Sequence, residues 1–260
     1  MHLEHTAGRA QAPGLPGSFH QLIAAQFFAA LADNALLIVT MALLHQRQLP
    51  VWWAPMLKFF SALAHVALAP WVGLWADAAP KARTMAWMNG LKAAAVLAML
   101  AGTPPLACFA VLGMASATYV PAKYGLVTEL VKPQTLVAAN AWIEISVVSA
   151  VLLGTALGGG LVSQAWQGLA EASLGRLGMP LGAESGLVMA LVIVLATYGT
   201  SALLNAGLPD SGARYAAGPA GLAAPLQAFW QDNRTLWRDR LGGLSLAVTT
   251  LFWGVGAILQ

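Results

Sequence analysis

Five charged side chains lie inside otherwise apolar segments of this 260-residue sequence: Asp33, Lys58, Lys92, Lys123 and Glu144. A charge in the middle of a membrane helix costs at least about 2.5–3.5 kcal/mol, so it must face a partner or a water-filled cavity. A rise of 1.5 Å per residue places all except Lys58 about 10–20 Å from one end of their helices. Two acids and two bases at this depth can neutralise one another across a central cavity. Asp33 is the first candidate for function, and Lys58 is interpreted as structural.

Polar residues at helical spacing accompany these charges. Asp33 shares a face with residues seven positions away on either side, and Asn34 follows it. Asn89 lies three residues before Lys92, and Tyr119 lies four before Lys123. The candidate substrate-binding set is therefore Asp33, Asn34, Asn89, Lys92, Tyr119, Lys123, Asn140 and Glu144. Structural ion pairs between packed helices are the alternative explanation.

Two backbone features accompany the fifth and fourth apolar segments. Gly154 and Gly158 are predicted to let a neighbouring helix approach closely, on a face shared with Asn140 and Glu144. Pro121 removes a hydrogen bond and is expected to bend its helix.

The composition indicates an all-α membrane protein. Hydrophobic residues make up 58% of the chain and charged residues only 9%, whereas soluble domains carry about 25% charged residues. The apolar blocks approach the length of about 20 residues that crosses a bilayer as a helix. The net charge of +3 comes from basic residues scattered in short loops, which argues against a nucleic-acid partner. Cys108 is the only cysteine and has no disulfide or metal-binding companion.

The hydropathy pattern predicts six complete spans and the start of a seventh. A flexible tail, residues 1–18, precedes a six-helix bundle, residues 19–208, a linker, residues 209–240, and the start of helix 7, residues 241–260. The spans are predicted at 19–44, 52–76, 84–101, 106–130, 135–163 and 186–208, with a Gly-rich stretch at 164–185. The sequence stops inside an apolar run, which suggests the first half of a twelve-helix protein.

The distribution of Lys and Arg predicts the orientation. Arg47 and Arg176 flank the spans on one side. Eight basic residues lie on the side that holds the N-terminus: Arg9, Lys81, Arg83, Lys132, Arg214, Arg234, Arg238 and Arg240. Loops rich in Lys and Arg stay in the cytoplasm, so the tail and the linker are predicted to be cytoplasmic.

Motifs of enzymes and ATPases are missing from the sequence. It has no phosphate-binding loop, no His-Glu-x-x-His and no Gly-x-Ser-x-Gly. No cofactor or metal is therefore expected, and a polytopic membrane enzyme is the weakest of the functional hypotheses.

The loop after the second span resembles the loop signature of the major facilitator superfamily, Gly-x-x-x-Asp followed by a basic cluster. Gly73 and Asp77 match its spacing, and Lys81 and Arg83 supply the bases. The centre of the signature differs, so the match is partial. The resemblance implies that Asp77 tethers two halves of a transporter on the cytoplasmic side.

Four further strings resemble the lysophospholipid transporter family, in that family's order. They are Ala25-Gln-Phe-Phe with Asp33-Asn-Ala-Leu-Leu, Asn89-Gly-Leu-Lys, Tyr119-Val-Pro-Ala-Lys-Tyr-Gly and Leu251-Phe-Trp-Gly-Val-Gly. The resemblance implies a six-helix N-terminal bundle of the major facilitator type, built from two inverted three-helix repeats. It also implies movement of lysophospholipids, chiefly lysophosphatidylethanolamine, across the bacterial inner membrane, followed by re-acylation by a cytoplasmic lysophospholipid acyltransferase. The residues alone leave open a proton-coupled transporter of small solutes or drugs.

Overall fold

A computed structural model describes residues 15–77, 79–176, 184–213 and 223–259. Most of the predicted N-terminal tail and part of the linker, residues 214–222, lie outside the described residues. The described part contains nine α-helices: α1 (Gly17–Gln46), α2 (Trp53–Asp77), α3 (Lys81–Leu100), α4 (Pro105–Leu130), α5 (Leu136–Leu161), α6 (Gln164–Arg176), α7 (Ser185–Ala206), α8 (Ala223–Arg238) and α9 (Arg240–Leu259).

Five of these helices are long and apolar enough to cross a membrane: α1, α2, α4, α5 and α7. The third predicted span corresponds to α3, which is 20 residues long but carries Lys81, Arg83 and Lys92, so it falls outside that group. In α9 the apolar stretch that the described side chains cover is Arg240–Phe252. The fold is that of an all-α, multi-pass membrane protein.

Two helices lie where the span prediction has none. α6 occupies much of the Gly-rich stretch, and the indole of Trp166 holds it by donating a hydrogen bond to the Gly186 carbonyl at 3.0 Å. α8 lies in the linker, where Leu226, Trp230 and Trp237 follow one helical face. Both helices are too short or too polar to cross a membrane, which takes an apolar helix of about 20 residues.

The six spans pack as two matching sets of three helices, α1, α2 and α3 in the first set and α4, α5 and α7 in the second. α1 packs on α5 and α7, and α4 packs correspondingly on α2 and α3. α3 and α7, the third helix of each set, pack on each other. An odd number of spans per set reverses the second set relative to the first, so this packing is that of two inverted three-helix repeats.

Glycines lie at close approaches between the helices. A Cβ atom at Gly154 would lie 2.6 Å from the Leu31 carbonyl oxygen, and one at Gly158 would lie 2.8 Å from Ile38 Cβ, so α1 rests directly on α5. Gly113 of α4 similarly lies against the Ser61 backbone of α2. Small residues at these positions allow the dispersion contacts that hold helices together in lipid.

Candidate functional site

An internal ion pair connects the first and third helices of the bundle. The Lys92 ammonium on α3 lies 2.8 Å from Asp33 Oδ2 and 3.0 Å from Asp33 Oδ1 on α1. The Tyr198 hydroxyl on α7 donates a third hydrogen bond to Asp33 Oδ1 at 2.5 Å. Three helices therefore converge on one carboxylate, which satisfies the charge that a membrane span would otherwise leave unpaired.

The two members of the pair differ in their access to the surroundings. The Lys92 side chain is 2% exposed, whereas that of Asp33 is 38% exposed. The Lys92 ammonium lies 5.6 Å from the ring centroid of Tyr119 and 5.8 Å from that of Tyr198, so two aromatic faces add cation–π attraction. The Asp33 carboxylate is therefore the accessible member of the pair, and the Lys92 ammonium neutralises it from within the bundle.

A small cavity of about 150 Å³ opens onto Asp33. It lies among α1, α2, α4 and α7, and its polar lining residues are Asp33, Lys58, Ser61, Ser116 and Tyr198. Lys58, interpreted from the sequence as structural, lines this cavity and makes no ion pair within the described residues. The exposed carboxylate and a second ammonium thus border the same space.

Buried polar groups continue from Lys92 along α3. The Asn89 amide donates to the Ser201 hydroxyl at 2.7 Å, and that hydroxyl donates to the Ala25 carbonyl at 2.6 Å. Beside them, the Tyr119 hydroxyl lies near the side chains of Asn89 and Asn205. Within the described residues, Asn89 Oδ1, that hydroxyl and both polar atoms of Asn205 are buried without a well-formed hydrogen bond. Buried groups of this kind are hydrogen-bonded in most proteins, commonly through water.

The other half of the predicted charge set is arranged separately. Lys123 is buried, and its ammonium lies 4.4 Å from the ring centroid of Tyr124. The Tyr124 hydroxyl donates to Glu144 Oε1 at 3.1 Å, and Glu144 is exposed. Asp33 therefore pairs with Lys92, while Lys123 and Glu144 are connected through an aromatic ring.

On α5 the predicted polar residues and the two glycines differ in burial. Its buried face runs through Ile143, Gly154 and Gly158, whereas Asn140 and Glu144 are exposed. Asn140 and Gly158 lie about five turns apart on one side of the helix, so that side is exposed near Asn140 and buried near Gly158. Asn34 uses its side-chain amide within α1, donating to the Ala30 carbonyl at 2.8 Å.

A second charge cluster lies at the end of the bundle where α1 begins. Lys81 bridges Asp77 Oδ1 and Glu129 Oε1, each at 2.9 Å, and so connects the ends of α2 and α4. The Ser211 hydroxyl donates to Glu129 Oε2 at 2.6 Å. Gly73 has open space around its Cα, and Arg83 is exposed and makes no ion pair in the described part of the chain.

Sequence reasoning missed the contribution of α7 to the site. Tyr198, Ser201 and Asn205 are all buried on this helix. Tyr198 donates a hydrogen bond to the Asp33 carboxylate. Their spacing of three and four places them on one helical face. A polar stripe in an apolar helix was the available signal. Glu129 was also missed, and no spacing connects it to Lys81 before the helices are packed.

A membrane-length bundle with inverted repeats and an ion pair beside a cavity defines a multi-pass helical membrane protein with the layout of a secondary transporter. No protein-family model matches the chain. Curated relatives do: the chain is 36% identical over 251 residues to the lysophospholipid transporter LplT of Yersinia enterocolitica, covering 96% of the chain and 57% of that protein.

The lysophospholipid transporters LplT of Serratia proteamaculans and Yersinia pestis are each 35% identical to the chain. These matches cover 95% and 96% of the chain and 57% of each relative. The resemblance predicted from the motifs is thereby confirmed: over nearly its whole length, the chain is homologous to the lysophospholipid transporter family. It spans little more than half the length of these relatives.

Proposed function

We propose that the chain is the N-terminal part of a secondary transporter that moves lysophospholipids, chiefly lysophosphatidylethanolamine, to the cytoplasmic leaflet of the bacterial inner membrane. Residues 19–208 would form its first bundle, residues 209–240 a cytoplasmic linker and residues 241–260 the start of helix 7. A cytoplasmic lysophospholipid acyltransferase would then use the delivered lipid. The relatives' names and the 57% coverage of their length support this division.

The Asp33–Lys92 pair is the observation that carries the proposal. An ethanolamine lysophospholipid head has one ammonium and one phosphate, the same two charges that the protein already pairs internally. Asp33 faces the cavity and would attract the ammonium, while Lys58, Lys92 or Lys123 would hold the phosphate. Exchange of one charge pair for another keeps the desolvation cost of binding small.

Uptake by the full-length protein tests the substrate class. Spheroplasts that contain it should accumulate labelled lysophosphatidylethanolamine faster than spheroplasts that contain an Asp33→Asn variant at matched protein level. Phosphatidylethanolamine, whose second acyl chain needs a second slot, should be taken up poorly. If neither lipid is taken up, or if both are taken up equally, the remaining candidate is proton-coupled transport of a small solute.

Asp77 is proposed to act in gating, as the resemblance to the major facilitator loop implies. Its side chain is partly exposed although it accepts a hydrogen bond from Lys81, so it retains surface for a second contact. Asp77→Asn in the full-length protein should change the accessibility of single cysteines on the two membrane sides. Unchanged accessibility and unchanged uptake would reduce Asp77 to a local partner of Lys81, worth less than about 1 kcal/mol.

A further inference from the structure

The linker helix α8, Ala223–Arg238, carries a strip of large apolar side chains along one face. Trp230 follows Leu226 by four residues and Trp237 follows Trp230 by seven, so the three side chains lie in line along the helix. Leu226, Trp230 and Trp237 are 40%, 66% and 56% exposed. α8 packs on α2 and α9, yet the described residues leave this strip largely open.

The junction with α9 sets the depth at which α8 lies. α8 ends at Arg238 and α9 begins at Arg240, so Asp239 alone separates the two helices. Asp239 Oδ2 accepts a hydrogen bond of 2.7 Å from the Gly242 backbone, which caps the first turn of α9. A Cβ atom at Gly242 would lie 2.8 Å from the Leu236 carbonyl oxygen, so the helix ends meet closely. Because α9 is the start of the predicted seventh span, the end of α8 must lie at the membrane surface.

The charged side chains of α8 are distributed unevenly around the apolar strip. Arg234 and Arg238 follow Trp230 by four and eight residues, which places both on one flank, and Asp232 lies on the other. Both arginines are exposed and make no ion pair within the described residues. Trp rings are enriched at the level of lipid headgroups, and arginine side chains hold their charge in the same layer. An apolar strip with a basic flank is typical of a helix that lies in the surface of an anionic bilayer.

We propose that α8 lies in the headgroup layer of the cytoplasmic leaflet and binds anionic phospholipids there. Leu226, Trp230 and Trp237 would enter the boundary between headgroups and acyl chains, while Arg234 and Arg238 bind lipid phosphates. Because α8 also packs on α2, the helix would connect the membrane surface with the bundle as well as with α9. This docking depends on the predicted orientation of the chain and on no transported substrate.

A fluorescent label on each face of α8 tests the docking in the full-length protein. Leu226→Cys on the apolar strip and Thr235→Cys on the polar face, each in a background without Cys108, would carry an environment-sensitive dye. The protein would be placed in nanodiscs of equal parts phosphatidylcholine and phosphatidylglycerol, with a trace of lipid that bears a quencher near the headgroup. The dye at residue 226 should emit to the blue and be quenched by this lipid. The dye at residue 235 should keep its emission in water and escape quenching.

Removal of the basic flank tests the preference for anionic lipid. Arg234→Gln with Arg238→Gln should weaken quenching at residue 226 in the nanodiscs that contain phosphatidylglycerol and change it little in phosphatidylcholine alone. Each arginine should shift the ratio of docked to undocked helix roughly fivefold in the anionic bilayer. Arg176→Gln removes an exposed arginine at the opposite end of the bundle and should leave the quenching unchanged.

Three results would overturn parts of this proposal. Blue emission at residue 226 without quenching by lipid would show that another part of the protein covers the strip. Emission in water at both labelled positions would show that the strip stays undocked. Equal quenching of the wild type in the two kinds of nanodisc would overturn the preference for anionic lipid. None of these measurements involves uptake, so their failure leaves the proposed transport function standing.

Discussion

The Tyr198 hydroxyl donates a 2.5 Å hydrogen bond to the Asp33 carboxylate, and this contact ties α7 to α1 at the point where α3 delivers Lys92. The Tyr119 ring lies at nearly the same distance from the Lys92 ammonium, but its hydroxyl makes no hydrogen bond to the carboxylate. The two tyrosines therefore form a matched pair, since both rings face the same ammonium and only one hydroxyl bonds to the acid.

This pair gives the first prediction. Tyr198→Phe should destabilise the protein by about 1.5–3 kcal/mol, the usual value of a hydrogen bond to a charged group. Tyr119→Phe keeps the ring beside Lys92 and removes a hydroxyl that lies near Asn89 and Asn205 without a well-formed hydrogen bond, so it should change stability by less than about 1 kcal/mol. Unfolding in detergent micelles measures both variants. Equal losses would mean that the Asp33 contact contributes nothing specific.

Much of this arrangement could be predicted from the sequence, and its limits are physical. Apolar length locates a membrane helix locally, so the helices that hold Asp33 and Lys123 were predicted within a few residues of their observed bounds. The choice of partner depends on how the helices rotate against one another. Asp33 pairs with Lys92 and not with Lys123, and Glu144 is exposed while Gly154 and Gly158 are buried; neither fact is encoded in spacing along one helix.

The glycines of α5 give the second prediction. Gly154→Val should destabilise the bundle by about 1–3 kcal/mol, because the new side chain would collide with the Leu31 backbone of α1. Gly159→Val is the matched control, since a Cβ there would meet nothing within 4 Å. Thermal unfolding of the two variants in the same detergent should separate them. Comparable tolerance of both would show that α1 can move away from α5 without cost.

The third prediction concerns pH. The Arg47 guanidinium donates two 2.7 Å hydrogen bonds to Glu184, and these lower the pKa of that carboxyl. A lowered folded-state pKa means that the pair stabilises the protein above the unfolded carboxyl's value of about 4.3 and stops doing so as the pH falls through the folded value.

Glu184→Gln tests this sign. The pair is partly exposed, so the variant should melt only about 1–2 °C below wild type at pH 7. The difference should shrink toward zero as the pH is lowered, because the wild-type carboxyl then becomes neutral. A difference that grows on acidification would contradict the assignment of the pair.

The fourth prediction concerns orientation. The excess of basic residues at the end where α1 begins predicts that Arg238, at the end of α8, is cytoplasmic. A cysteine placed at residue 238 of the full-length protein, in a background without Cys108, should resist a membrane-impermeant thiol reagent in intact cells. A cysteine at Arg176 should react. Labelling at residue 238 and protection at residue 176 would reverse the proposed topology.

The last prediction separates structure from function at the central ion pair. Asp33→Asn leaves a Lys92 ammonium that is 2% exposed without its counter-ion, which should cost about 3–5 kcal/mol. Lys92→Met should cost less, because the Asp33 carboxylate is 38% exposed and can take up water from the cavity. The double variant Asp33→Asn with Lys92→Met removes both charges and should recover most of the lost folded protein. It should still fail in lysophospholipid uptake, because the headgroup then meets neither charge.

The swap Asp33→Lys with Lys92→Asp keeps a pair but reverses its direction, and it places an ammonium where Tyr198 now donates. If Asp33 receives the lipid ammonium, the swap should restore folded protein in part and uptake not at all, measured at matched amounts in the membrane. Recovery of uptake by the swap would show that the pair only holds α1 against α3, and the substrate site would have to be sought around Lys123 and Glu144.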